Sequence, residues 1–320
     1  MTEYILGVEI GGTKQQLAIG TPEGELLASH QGRVDHALGG EGIRQWLKAE
    51  IPGFIEQAQD KYGPVTAIGC GFGGPIDTPK GRVLRSIQIE GWQDFPIRDW
   101  FEATFRLPAT VDNDSNAAAW GEYLRGFGRG CRNFYYTNIG SGVGGGFVFD
   151  GKLYDGQGYG AGEIGHTWVP DWTVDQPGAA KEVEDLCSGW SIEKRLRTPG
   201  YIPEDSVLFE KFTALPEAVT TSDLGKAAEG GDPFAKAEIE NVACTFGLAL
   251  VNVLSLTNVE RIAVGGGVAK LGEVLLQPIR ETVDAHAFVS SQGHYEIHAC
   301  ELGDEIVLVG AVLRAAEAFL

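Results

Sequence analysis

The chain of 320 residues carries little basic charge, no paired cysteines and no long apolar run. Lys and Arg number 25 against 44 Asp and Glu, a formal net charge of −19, which opposes general attraction to nucleic acid or to an anionic membrane. No apolar run reads as long enough for a bilayer, and the start MTEYILGVEIGG lacks a basic segment leading into an apolar stretch. The expectation is a cytoplasmic protein with no nucleic-acid and no membrane partner. The five cysteines, Cys70, Cys131, Cys187, Cys244 and Cys300, are odd in number, far apart and never in a C-x-x-C pair. That excludes a disulfide framework and a cysteine zinc cage, and predicts reduced, mostly buried thiols. With 43% hydrophobic and 22% charged residues the composition is that of a globular protein, and the length allows two domains.

Glycine is abundant, at 46 residues, and two glycine turns occur in the same frame. ILGVEIGGTKQQLAIGTPEGELL, from Ile5 to Leu27, and FYYTNIGSGVGGGFVFDGKLY, from Phe134 to Tyr154, each predict strand, glycine turn, strand, tight turn, strand. Without a Cβ, such a turn lets backbone N–H groups approach phosphate oxygens. Gly11, Gly12, Thr13 and Lys14 add a hydroxyl and a cation to the first turn; Gly140, Ser141 and Gly142 form the second. For either turn alone, a plain hairpin needing positive φ is an equally good reading. The pair in one frame favours two facing halves around one nucleotide. GSGVGG also matches G-x-G-x-x-G at Gly140, Gly142 and Gly145, but the GFVFDGKLY segment that follows is a hairpin rather than a helix, which excludes a dinucleotide turn. A third cluster, Gly265, Gly266 and Gly267, lies between a strand and a helix, where tight packing is the preferred reading and nucleoside approach the alternative.

Between these turns, Ile43, Trp46, Leu47, Ile51, Phe54 and Ile55 have helical spacing. VTAIGCGFGGPID reads as a buried strand ending in Gly73, Gly74 and Pro75. A short strand near Ala109 to Val111 leads through Asp112, Asn113 and Asp114 into a helix from about Ser115. A carboxylate at that strand end suits a general base, while Asp and Asn there also suit a helix N-cap, and different residues can fill both roles. Thr167 to Ala180 reads as a loop, GDPFAKAEIENVACTFGLALVNVLSLTN as a central, largely buried helix, and Ile306 to Leu320 as a terminal helix. In GAGEIGH, Glu163 and His166 lack an evident third metal ligand, which leaves hydrogen bonding to a polyol as the better functional reading.

Six stretches, GVEIGGTK, GFGGPID, VDNDSNAAAWGE, NIGSGVGGG, AGEIGH and IAVGGGVAKLG, together resemble the sugar kinases of the ROK family (repressor, open reading frame, kinase) over nearly the whole chain. The resemblance implies an α/β, two-lobed actin-like and hexokinase-like (ribonuclease H-like) fold with duplicated βββαβα-type domains around a cleft. The expected lobes are residues 1–116 with 306–320, and 117–305. It implies ATP and Mg2+, a hexose substrate, and a homodimer. Asp114 matches the family's base, Gly73, Gly74 and Asn113 its sugar side, and Glu163, His166 and Glu184 its contacts across the ring. Gly11 to Lys14 and Gly140 to Gly142 fall at the phosphates, and Gly265 to Gly267 near the adenosine. Glucose or a related aldohexose is the expected acceptor; N-acetylated amino sugars, mannose, allose and fructose are the alternatives.

Three departures stand out. Glu9 replaces the family's usual Asp in D-x-G-G-T, adding a methylene near the expected Mg2+, and Gln88 replaces an Asn before Gly-Trp. The C-x-C-G-x-x-G-C zinc motif is replaced by a stretch with the single Cys187, so no structural zinc is expected, with packing around Trp168 and Trp172 in its place. The same family includes sugar-responsive repressors. The first turn begins too early for a preceding DNA-binding domain, and the acidity opposes DNA binding, so an enzyme is expected. Retention of Asp114 and both turns also opposes a sugar-binding protein without catalysis.

Overall fold

The computed structural model describes residues 3–86 and 89–320. In chain order the strands and helices are β1 (Tyr4–Ile10), β2 (Lys14–Gly20), β3 (Leu26–Arg33), α1 (Gly39–Lys61), β4 (Val65–Phe72), β5 (Ile76–Asp77), β6 (Arg82–Val83), α2 (Ile97–Phe105), β7 (Ala109–Asn113) and α3 (Asp114–Arg125). There follow β8 (Phe134–Ile139), β9 (Val143–Phe149), β10 (Lys152–Tyr154), β11 (Trp168–Pro170), β12 (Ala180–Glu182), α4 (Val183–Cys187), α5 (Gly189–Leu196), α6 (Phe209–Ala214), α7 (Thr221–Glu229) and α8 (Pro233–Thr257). The last are β13 (Arg261–Gly265), α9 (Glu273–His286), β14 (Glu296–Ala299) and α10 (Ile306–Phe319).

Two five-stranded sheets share one plan, β3-β2-β1-β4-β7 and β10-β9-β8-β13-β14. In the first, β1 to β3 are antiparallel and β4 and β7 add in parallel. In the second, β9 and β10 are antiparallel, and β8, β13 and β14 run parallel. The chain falls into two compact units, Met1–Gly130 with Gly146–Ala161 and Glu301–Leu320, and Cys131–Gly145 with Gly162–Cys300. Sequence reading puts the first crossing after residue 116; the contacts put it at Gly130, keeping α3 whole.

In the first unit, β1 is buried on both sides because its alternate residues serve different layers. Leu6, Val8 and Ile10 join a core with Ile43, Leu47 and Ile51 of α1 and with Phe72, Trp92 and Phe101, and Trp46, Phe54 and Ile55 pack against it. Ile5 faces the other way, onto Val312, Ala315 and Ala316 of α10. Helix α10 lies close because glycines meet it: a Cβ on Gly69 would overlap the Ala311 carbonyl, and one on Gly310 would overlap that of Ala117. A side chain on Gly121 would likewise meet Gly310 N at 2.9 Å.

In the second unit, α8 packs chiefly on α9, α7 and α4. It corrects the sequence expectation about apolar runs, being long and apolar enough by composition to cross a bilayer; 56% of its most apolar window is buried within the protein. The supposed loop after Thr167 contains a hairpin, with Trp168 opposite Glu182 and Pro170 opposite Ala180. Trp168 does not supply the expected packing, since it is 65% exposed at the hairpin end. Trp172 does pack, under the Arg195 guanidinium at 4.9 Å, and Arg195 pairs at 2.8 Å with the buried Glu238. All five cysteines are free, but only Cys70 and Cys187 are fully buried, the others being half-buried. Burial pushes the Cys187 thiol up to about 12, far from a nucleophilic thiolate.

The backbone contact at α10 is directly testable. Gly310→Ala should cost on the order of 3 kcal/mol by overpacking. Gly53→Ala, on the exposed side of α1 where nothing lies within 4 Å, should gain up to about 1 kcal/mol. Urea midpoints of the two variants should therefore move in opposite directions.

Candidate functional site

The candidate residues of the first unit gather at the carboxyl ends of β1, β4 and β7. Ile10 pairs with Phe72 and Phe72 with Asn113, so the three strand ends form one row. This is where open parallel sheets place ligands. Beyond the row come the Gly11 to Thr13 turn, Gly73 and Gly74, and the start of α3. Gly73 N–H donates to the Ile10 carbonyl at 2.8 Å. A Cβ on Gly73 would stand 3.3 Å from Asp114 Oδ2, 3.3 Å from that carbonyl and 3.6 Å from Gly11 Cα. The bare glycine thus lets the Asp114 carboxylate stand beside the first turn.

The residues of the D-N-D tripeptide separate. Asn113 is the N-cap, its Oδ1 accepting from Ser115 N at 2.9 Å and Asn116 N at 3.2 Å while Nδ2 donates to the Gly74 carbonyl at 3.1 Å. Asp114 is the first helical residue, where the helix N-terminus favours a negative group, and its Oδ1 accepts from Ser115 N at 2.7 Å. Strand alternation sends Asp112 elsewhere, 3% exposed and 3.4 Å from Arg314 Nε. Burial raises the Asp112 carboxyl above its usual range, with Arg314 opposing. Of the two aspartates, Asp114 is the one whose carboxylate stands beside Gly73 at the strand ends.

Glu9 sits opposite Gln16 in the first hairpin and accepts from Gln16 Nε2 at 2.7 Å, with Lys14 Nζ at 3.6 Å from its other oxygen. It is 7% exposed, and burial raises its pKa, with the Lys14 charge and the Gln16 bond opposing. As a buried hard oxygen donor at a glycine turn, Glu9 fits Mg2+, which commonly takes one or two carboxylates and completes its shell with phosphates and water. Among the described residues no three His, Cys, Asp or Glu side chains cluster as metal ligands, so an all-protein cage is a different arrangement from the one seen.

Sequence reasoning missed Asp155, which secures the glycine-rich segment after β10. Its Oδ1 accepts from Asn116 Nδ2 at 3.2 Å and from Gly160 N at 3.2 Å, tying that segment to the first turn of α3. Gly156, Gly158 and Gly160 take positive φ there. Gln88 lies outside the described residues.

In the second unit the other two glycine clusters meet. Gly265 of β13 pairs with Asn138 of β8, and Val268 N–H donates to the Ile139 carbonyl at 2.8 Å. A Cβ on Gly266, at φ 91°, would come within 2.5 Å of that carbonyl. One on Gly265 would meet Tyr136 Oη at 2.8 Å, whereas nothing lies within 4 Å at Gly267. Packing therefore accounts for Gly265 and Gly266, and Gly267 faces open space. The second turn is closed by Gly140 N–H to Gly142 O at 2.8 Å, and Ser141 is exposed.

Glu184 braces this same turn: its Oε2 accepts from Val143 N at 2.7 Å, and a side chain on Gly142 would fall 2.6 Å from that oxygen. Glu163 precedes a 3-10 turn, Ile164–His166, and burial raises its carboxyl, with His166 opposing and Glu184 adding to the rise. The His166 Nδ1 lies 2.8 Å from Glu182 Oε2. Glu182 was not singled out from sequence; its signal was the E-V-E spelling, two carboxylates flanking a buried Val183.

With the geometry in place, comparison with known proteins is specific. The ROK family model matches residues 5–318. A glucokinase of Halalkalibacterium halodurans is 32% identical over 96% of this chain and 93% of its own length. A ROK family glucokinase from Streptomyces griseus, solved with glucose and AMPPNP, superposes with a TM-score of 0.82 at 30% identity, covering 98% of this chain and 99% of that one. A xylose repressor of Caldicellulosiruptor bescii is 26% identical over 96% of this chain and 77% of its own.

Glu9 supplies a test of the buried charge. Its raised pKa means that the folded state holds the proton at higher pH than the unfolded chain, so stability falls as pH rises through the folded value. The melting temperature of Glu9→Gln should match wild type below pH 4.5, the ordinary glutamate value, and exceed it increasingly towards neutrality.

Proposed function

The chain belongs to the ROK family, and from that membership and the site geometry we propose that it is an ATP-dependent hexose kinase. The acceptor is the 6-hydroxyl of glucose or a related aldohexose, and Asp114 is the general base. The observation that carries this reading is the Asp114 carboxylate standing beside Gly73 and the Gly11 turn at the start of α3. Glucokinases among the relatives, one of them bound to glucose and an ATP analogue, support the choice of acceptor and donor.

In this reading Asp114 takes the proton from the sugar hydroxyl as that oxygen bonds to the γ-phosphorus of ATP and the bond to the β,γ-bridging oxygen breaks, releasing ADP. Glu163, His166 and Glu184 hold the sugar by hydrogen bonds. The turns at Gly11 to Lys14 and Gly140 to Gly142 would offer the phosphates two hydroxyls, the Lys14 cation and N–H groups other than those of Gly11 and Gly140, which close the turns. Mg2+, which Glu9 would hold, supplies charge neutralisation on the phosphates when bound.

Coupled ADP release across a panel of glucose, mannose, allose, fructose and N-acetylated amino sugars should show one aldohexose preferred. Asp114→Asn should lower kcat by at least about 100-fold while leaving hexose affinity within roughly threefold. Undiminished turnover would remove Asp114 as the base. Sugar binding without ADP release from any member of the panel would assign the chain to a regulatory role, as in the repressor relatives.

A further inference from the structure

We propose that Glu182 is a positioning residue for His166, holding the imidazole by Nδ1 so that Nε2 is the nitrogen that meets a sugar hydroxyl. The sugar's part in this rests on the kinase reading above; the bond between Glu182 and His166 does not.

Hairpin register carries the argument. Trp168 pairs with Glu182, and His166 closes the 3-10 turn Ile164–His166 just before that strand, which brings its ring to the Glu182 carboxylate. The backbone on both sides is fixed independently of either side chain. Thr167 donates from N at 3.1 Å and from Oγ1 at 2.7 Å to the Ile164 carbonyl, and the Thr167 carbonyl accepts from Val183 N at 3.0 Å. Gly165 packs so tightly on the Val143 backbone that it has no room for a side chain. What remains unfixed is the ring's rotation about its own bonds, and the 2.8 Å contact from Nδ1 to Glu182 Oε2 sets it.

Stability is a poor explanation for this pair. The two side chains are 49% and 35% exposed, and ion pairs of that kind contribute about 0–1 kcal/mol. A carboxylate on one imidazole nitrogen does more for the other, by fixing the tautomer and the aim of the ring. The charged groups facing His166 are Glu182, Glu163 and Glu184, and all three raise its pKa, the Glu182 bond most, while burial opposes. They extend to higher pH the cationic form, in which Nε2 carries a proton and donates to a sugar oxygen. Two residues on, Glu184 braces Val143 N, so one short segment secures both the histidine and the second glycine turn.

The test uses the full chain and the hexose that the wild type phosphorylates best. Glu182→Ala should raise the hexose KM by about 10-fold or more, with kcat and the ATP KM within about twofold. Glu182→Gln retains an acceptor for Nδ1–H and should restore most of the KM. It should also move the alkaline fall in hexose kcat/KM to lower pH, because the imidazolium form has lost its anionic partner. NMR titration of the His166 ring should show a lower pKa in both variants. A wild-type hexose KM in Glu182→Ala alongside an impaired His166→Ala would overturn the proposal, as would a His166 titration that neither variant shifts. Should the wild type phosphorylate no hexose, the kinase reading fails by itself, and the ring titration still decides whether Glu182 governs His166.

Discussion

Helix α10 touches α3 and the first sheet backbone to backbone, and the functional end of the first unit depends on that closeness. Gly310 lies on the Ala117 carbonyl and Gly69 on the Ala311 carbonyl, with Gly121 facing Gly310 from α3. Side chains at these positions would lift α10 away and carry α3 with it. Because α3 begins at Asp114, its seating determines where that carboxylate stands relative to Gly73 and the first turn. Close packing of small residues is here the means by which a distant terminal helix sets the position of a candidate base.

The same economy governs the acidic residues. Adjacent or alternate carboxyl and amide groups on one short segment divide among different partners. Asp112 is spent on Arg314, Asn113 caps α3, and Asp114 stays at the strand end. In the second unit, Glu182 holds His166 and Glu184 holds Val143 N. Strand alternation and the start of a helix do the sorting, since each turns neighbouring side chains to different sides.

Much of this was legible in the residues themselves. Repeated glycine turns in matching frames announced the duplicated sheet plan, and the hairpin after Gly145 distinguished the second turn from a dinucleotide site. The apolar stripe of α1 reached the core as its spacing predicts. Less legible were groups whose partners are far off in sequence. Arg195 and Glu238 lie 43 residues apart, and Asp155 meets Asn116 across 39. Trp168 misled because a tryptophan suggests burial, yet the short β11–β12 hairpin leaves its end residue to solvent. Helix α8 was read correctly as a helix, but its apolar length was underestimated, because its charges cluster near one end.

The residue order alone determined the family, the glycine turns and the candidate base, since those rest on local chemistry: where a Cβ is missing and where a carboxylate precedes a helix. Tertiary structure decided which of several like residues faces which neighbour. It turned Asp112 to Arg314 and left Asp114 beside Gly73, packed Gly265 and Gly266 but not Gly267, and set Glu182 beside His166. The physical reason is that burial, register and close approach are properties of pairs of segments, and no single segment carries them.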